Sequence, residues 1–159
     1  MTMIAQIATG FGIGRVPYAP GTVASLTAII IAIPVLYFFG WPVLLVVAAV
    51  TALAGLWVSD AFAVETGVID PQECVIDEFA GQWLACALAG LGAALEGEAM
   101  TVVSYFLAFI LFRLFDVAKP WPVSKAEALQ GGIGIMADDV VAGLIAGAVV
   151  FLFMQSGFL

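Results

Sequence analysis

The chain has 159 residues, 64% of them hydrophobic and only 10% charged, with a mean hydropathy of +1.19 and a net charge of −8. A soluble domain carries about 25% charged residues, so this composition cannot clothe a water-exposed surface, and a bilayer is the natural solvent. Four basic residues argue against a nucleic-acid binder, and the absence of histidine removes phosphohistidine nucleophiles, histidine general bases and histidine metal ligands.

The length suits one domain over residues 1–159. Residues 2–14 are too short to span and predict an interfacial or re-entrant segment; no basic n-region marks a signal peptide. Gly10 to Thr22 is dense in glycine and proline. It has no preceding strand and no Gly-Lys-Ser/Thr, so it is not a Walker loop. It reads either as an anion-binding backbone before a helix, with Thr22 and Ser25 as hydroxyl donors, or as a plain re-entrant turn.

Residues 23–59 are apolar. One straight helix would run about 55 Å against a hydrocarbon core of about 30 Å. The Phe39-Gly40-Trp41-Pro42 segment predicts a break, giving helices over 23–39 and 43–58, with Pro34 a candidate kink in the first. A polar stretch over 60–78 holds Asp60, Glu65, Asp70, Glu73, Asp77 and Glu78. A third helix is predicted over 79–95, a turn at Glu96-Gly97-Glu98, and a fourth helix over 99–115. A polar segment rich in Gly and Pro follows over 116–138, then a fifth helix over 140–154. Gly143 and Gly147 have the spacing of close helix packing. Gly131-Gly132-Ile133-Gly134 carries the same two readings as the N-terminal glycines. Cys74 and Cys86 form no CxxC pair, and Cys86 reads as packing.

The expected fold is therefore an all-α polytopic membrane bundle of about five transmembrane helices plus the short N-terminal segment. Five spans put Arg15, Arg113, Lys119 and Lys125 on one side, with ten of the twelve acids. The positive-inside rule makes that side cytoplasmic, with the C-terminus opposite.

Two adjacent acid pairs stand out, Asp77-Glu78 and Asp138-Asp139, each read as the start of an apolar helix. One acid there complements the helix dipole; two add repulsion and desolvation at a membrane edge. Asp116 follows Arg113 at the spacing of a simple i,i+3 ion pair. Together these acids predict a hard-cation site. Mg²⁺ prefers carboxylate oxygens and water and bridges to phosphate. Asp77, Glu78, Asp138 and Asp139 are the expected metal and water-activating cluster, with Asp116 a fifth carboxylate. Such a site polarises a phosphoryl oxygen, and a remaining carboxylate serves as general base. Lys119, Arg113 and Arg15 are the expected phosphate partners, with Thr22 and the Gly21 region as donors. Lys119 and Arg113 read equally as snorkelling anchors. Glu65 and Asp70 are secondary candidates. Neither cysteine has the arginine spacing of a cysteine-dependent phosphatase, and no DxD pair supports an aspartyl-phosphate route.

Four motifs then occur in order: Pro17-Tyr18-Ala19-Pro20-Gly21-Thr22, Ile76-Asp77-Glu78-Phe79-Ala80-Gly81, Phe112-Arg113-Leu114-Phe115-Asp116-Val117-Ala118-Lys119-Pro120-Trp121-Pro122, and Gly131-Gly132-Ile133-Gly134-Ile135-Met136-Ala137-Asp138-Asp139-Val140-Val141-Ala142-Gly143. Together they closely resemble the bacterial phosphatidylglycerophosphatase A family over about residues 10–147. The resemblance implies a Mg²⁺-dependent inner-membrane enzyme of phospholipid biosynthesis. It would cleave the terminal phosphomonoester of phosphatidylglycerophosphate, a membrane phospholipid, to phosphatidylglycerol and phosphate. Asp77, Glu78, Asp116, Lys119, Asp138 and Asp139 match the family's polar motif positions; Ala24 departs from the glycine common there. Two other classes compete: a small cation or proton-coupled transporter, and a non-enzymatic assembly subunit. One-sided charge disfavours transport, which needs polar groups near the midplane. A homo-oligomer is compatible with all three.

Overall fold

Apolar sequence makes long helices here, and glycine and proline decide where they break. The computed structural model describes residues 1–158, and every regular element among them is helical. In chain order these are α1 (Met3–Ala8), a 3-10 turn (Ile13–Arg15), α2 (Pro20–Thr66), α3 (Ile76–Leu95), α4 (Val102–Ala118), α5 (Val123–Glu127) and α6 (Gly131–Gln155). Three of them, α2, α3 and α6, are long and apolar enough to cross a membrane.

The 47 residues of α2 form two limbs, because the backbone leaves helical geometry at Gly40 (φ 77°, ψ 175°) just before Pro42. This is the predicted break. Pro34 sits inside the first limb, whose backbone stays helical. The second limb continues to Thr66, past the predicted end at residue 58. Polar residues do not stop a helix; the stop is Gly67, which takes a left-handed cap (φ 71°). The extra turns make tertiary bonds. Asp60 accepts the Gly132 N–H at 3.2 Å, and Glu65 accepts the Thr2 hydroxyl at 2.7 Å.

α3 lies between α2 and α6. Of its apolar window 61% is buried, against 17% for α2, which marks α3 as the central helix and α2 as an outer one. The Trp83 indole donates to the Ala28 carbonyl at 2.8 Å, and the Gln155 amide to the Gly92 carbonyl at 3.2 Å. Small residues let α3 and α6 approach closely. A Cβ on Gly143 would collide with the Gly81 carbonyl, and one on Gly147 would meet Ala85 Cα at 3.0 Å. The Gly143/Gly147 spacing thus serves packing within the chain.

The N-terminal segment is a docked helix. Ala5 and Ala8 of α1 bury against Val58, Phe62 and Ile76, and the Ala8 carbonyl accepts the Val75 N–H at 2.9 Å. The largest departure from prediction is α6. Low helix propensity of Gly131, Gly132 and Gly134 predicts a loop, with the helix starting at residue 140. The helix instead starts at Gly131, where a Cβ on Gly132 or Gly134 would strike the Leu56 or Leu129 carbonyl oxygen. Tertiary packing that only glycine permits overrides the propensity. Asp138 and Asp139 therefore lie two turns inside α6 instead of at its start.

Candidate active site

A cavity of about 870 Å³ opens at the end of the bundle where α2 and α3 begin and α4 ends. The first turn of α2 contributes Pro20, Gly21 and Thr22; α3 contributes Asp77 and Glu78; α4 and its cap contribute Arg113, Asp116 and Lys119. From α6 come Asp138 and Asp139, from α5 Glu127, and the connecting segments add Asp70, Cys74 and Gln130. Four stretches far apart in sequence thus share one space.

Helix packing sets the carboxylate geometry. Asp77 and Glu78 precede Gly81 by about one turn, and Asp139 precedes Gly143 by one turn. Where Gly81 and Gly143 bring α3 and α6 together, the acids one turn earlier must face each other. Asp77, Glu78 and Asp139 each offer an oxygen within 4.8 Å of the others, and so do Asp116, Asp138 and Asp139. Asp138 and Asp139 are 6% and 4% exposed, so bulk water scarcely screens them. Glu78 Oε2 and Asp139 Oδ2 are buried with no hydrogen-bond partner among the described residues. Unpartnered buried carboxylate oxygens are costly, and a divalent cation is the partner that this all-oxygen donor set fits.

The two cationic side chains in the cavity are already engaged. Arg113 is bonded to Asp116, as its i,i+3 spacing predicts, and approaches Glu78 at 3.9 Å. Its guanidinium holds two carboxylates in place. Lys119 caps α4 in a left-handed conformation (φ 44°) and donates to Asp138 at 2.8 Å and Glu127 at 2.6 Å. Burial works to lower its pKa, but these two bonds outweigh it and raise it, so Lys119 stays charged at any physiological pH. Glu127 was not legible in the sequence as a site residue: no helical spacing links it to Lys119, and only the short α5 turn delivers it.

Ala19, the residue that caps α2, makes no side-chain cap bond. Gly21 and Thr22 line the cavity, and N–H groups in the first turn of a helix have no intrahelical acceptor, so an anion in the cavity can take them. A Cβ at Gly21 would strike Glu78 Oε1 and lie 3.2 Å from Arg113 Nη1, so a larger residue there would push these two side chains out of their present places.

Three expected residues fall elsewhere. Arg15 is not in the cavity wall; it pairs with Glu73 at 3.3 Å. The buried Ser25 hydroxyl donates to the Gly21 carbonyl at 2.8 Å, which spends its proton inside α2. Glu65 is occupied by Thr2, whereas Asp70 does line the cavity.

Burial pushes the Cys74 thiol up to about 11, against the weaker opposing effect of its bond to Ser59. It is neutral and unreactive at pH 7 although it lines the cavity. Treatment with N-ethylmaleimide at that pH is expected to leave activity unchanged over an hour; rapid inactivation would show a thiolate that this environment does not support.

Fold and site together define a helical membrane protein with a carboxylate-rich, cation-ready pocket at one end of its bundle. Comparison narrows the class. The family profile for phosphatidylglycerophosphatase A matches residues 6–154, and on that match the chain belongs to the phosphatidylglycerophosphatase A family. It is 34% identical to "Phosphatidylglycerophosphatase A" of Escherichia coli over 149 residues, covering 91% of this chain and 80% of the relative. It is 36% identical to the protein of the same name from Haemophilus influenzae over 146 residues, covering 91% and 85%. It is also 38% identical over 142 residues to a Bacteroides thetaiotaomicron protein named "Putative phosphatidylinositol-3-phosphatase", covering 87% and 85%. No solved structure matches the chain.

Proposed function

We propose that the protein is a phosphatidylglycerophosphatase of the bacterial inner membrane. It hydrolyses the terminal phosphomonoester of phosphatidylglycerophosphate with Mg²⁺, releasing phosphate and phosphatidylglycerol. The observation that carries this reading is the convergence of Asp77-Glu78, Asp116, Lys119 and Asp138-Asp139 on one cavity in a chain of this family.

Asp77, Glu78, Asp116, Asp138 and Asp139 would hold the cation. When bound, it supplies positive charge and polarises a phosphoryl oxygen. Lys119 and the Gly21 and Thr22 N–H groups bind and orient the phosphate. Arg113 keeps Glu78 and Asp116 in register. Of the helix-borne carboxylates lining the cavity, Asp77 and Asp139 have no cationic partner among the described residues, and Asp77 takes the proton from the attacking water. The single domain crosses the bilayer five times, through the two limbs of α2, then α3, α4 and α6. The basic end is cytoplasmic and the acyl chains remain in lipid.

The test is phosphate release from phosphatidylglycerophosphate in detergent micelles, with Mg²⁺ or EDTA, for the wild type, Asp77→Asn and Asp138→Asn. Activity is expected with Mg²⁺ only and to be lost in both variants. Full activity in both variants would remove the site. Phosphatidylinositol 3-phosphate is the comparison substrate, because a relative bears that name; a preference for it would replace the proposed headgroup while keeping the chemistry. A smaller effect is expected from Glu127→Gln. Its partner Lys119 gains freedom to bind phosphate, and KM falls by about fivefold or less, the scale of one half-exposed ion pair.

A further inference from the structure

We propose that the pocket is built for two divalent cations side by side, with Asp139 as the carboxylate shared between them. This rests on the phosphohydrolase reading above and adds the number of cations and their common ligand.

The first argument is charge. Among the described residues, seven carboxylates and two cationic side chains line the cavity, which when fully ionised carry five negative charges in excess. Both cationic side chains are already paired with carboxylates. A phosphomonoester dianion entering such a space is repelled. One divalent cation still leaves three negative charges facing the dianion; two leave only one. Asp70 and Glu127 are exposed and screened by water, but at the buried Asp138 and Asp139 screening is weak, and there that difference favours entry of the headgroup.

The second argument is geometry. The carboxylates form two separate three-oxygen sets: one from α3 with Asp139, the other from Asp116 and Asp138 with Asp139. Among the described residues, Asp139 is the only member common to both. Three protein oxygens leave half of an octahedral shell for water and phosphate, which is how Mg²⁺ is usually held at phosphate sites.

The third observation is independent of the clustering. Asp139 is 4% exposed, and its Oδ2 has no hydrogen-bond partner among the described residues. A carboxylate shared between two cations uses both oxygens, which accounts for the one left bare here. Glu78 Oε2, in the first set, is bare in the same way. Arg113 touches Glu78 of the first set and Asp116 of the second, and so ties the two sets together. Paired cations about 3.5–4 Å apart clamp the attacking and leaving oxygens of a phosphoryl displacement.

The experiment uses the full chain in detergent micelles, stripped with EDTA and titrated with Mn²⁺. Stoichiometry is read by calorimetry and spin coupling by electron paramagnetic resonance, beside phosphate release. The expected result is two Mn²⁺ per chain with a coupled spectrum at saturation. Asp77→Asn is expected to leave one Mn²⁺ with an uncoupled sextet, and Asp139→Asn to abolish the coupled spectrum. Saturation of the wild type at one uncoupled Mn²⁺, with phosphate still released, overturns the shared-ligand inference and leaves the phosphatase reading standing. No Mn²⁺ binding together with EDTA-resistant phosphate release overturns both the inference and the cation dependence. The wild-type arm decides the matter even where a variant fails to fold.

Discussion

Asp139→Asn is expected to lower the phosphatase rate by at least about 10³-fold while making the metal-free protein more stable. Each tenfold in rate is about 1.4 kcal/mol, so three decades correspond to about 4 kcal/mol, the scale of charge stabilisation by a bound metal. An amide of the same shape cannot supply the second anionic oxygen. Stability moves the other way because of where the side chain sits. Asp139 is buried among Asp77, Glu78, Asp116 and Asp138, with one oxygen bare. Without a cation, that arrangement is repulsive and undersatisfied. Removing the charge relieves about 1–3 kcal/mol, the usual cost of an unpaired buried polar group. In saturating Mg²⁺ the order reverses, because ligand binding to the native state stabilises only the protein that retains the site. Thermal unfolding in EDTA and in Mg²⁺, beside phosphate release, checks the prediction. A variant less stable than the wild type in EDTA would mean that Asp139 is satisfied by something other than a cation.

Gly143→Ala is expected to damage activity without touching any reactive group. The new methyl would strike the Gly81 carbonyl on α3, which is backbone and cannot swing aside. Overpacking of this kind costs about 1–3 kcal/mol. The helices must separate at the level that sets Asp77 and Glu78 against Asp139. A displacement of about 1 Å at a reacting centre is worth about 10²-fold in rate. The expected signature is a drop in kcat of that order with weaker Mg²⁺ activation, while the chain still folds as a bundle. Wild-type Mg²⁺ dependence in this variant would show that the Gly81–Gly143 contact does not position the acids.

Most of the helical architecture was legible because its causes are local. Gly40 before Trp41-Pro42 breaks α2, and an apolar run of this length has few alternatives to helix. The ends were less legible. α2 overran its predicted end because nothing before Gly67 forbids helix, and α6 began early because glycines suited to packing look like loop residues. Within the site, the paired acids were readable from their adjacency in the sequence, and Lys119 from its place just after Asp116 at the end of an apolar run. Arg15 was not: its pairing with Glu73 depends on how the segment after α1 folds back. Glu127 and the spent hydroxyl of Ser25 were equally invisible, since each depends on a contact that spacing does not encode.

The sequence by itself determined the solvent, the helical class and the available chemistry. So few charges require lipid, and a chain without histidine leaves carboxylates, lysine and arginine for phosphate work. Only the tertiary structure decided which acids meet. Charge repulsion would keep these carboxylates apart in a flexible chain. The close crossing of α3 and α6 at Gly81 and Gly143 holds them together, and burial then leaves oxygens bare for a cation to take.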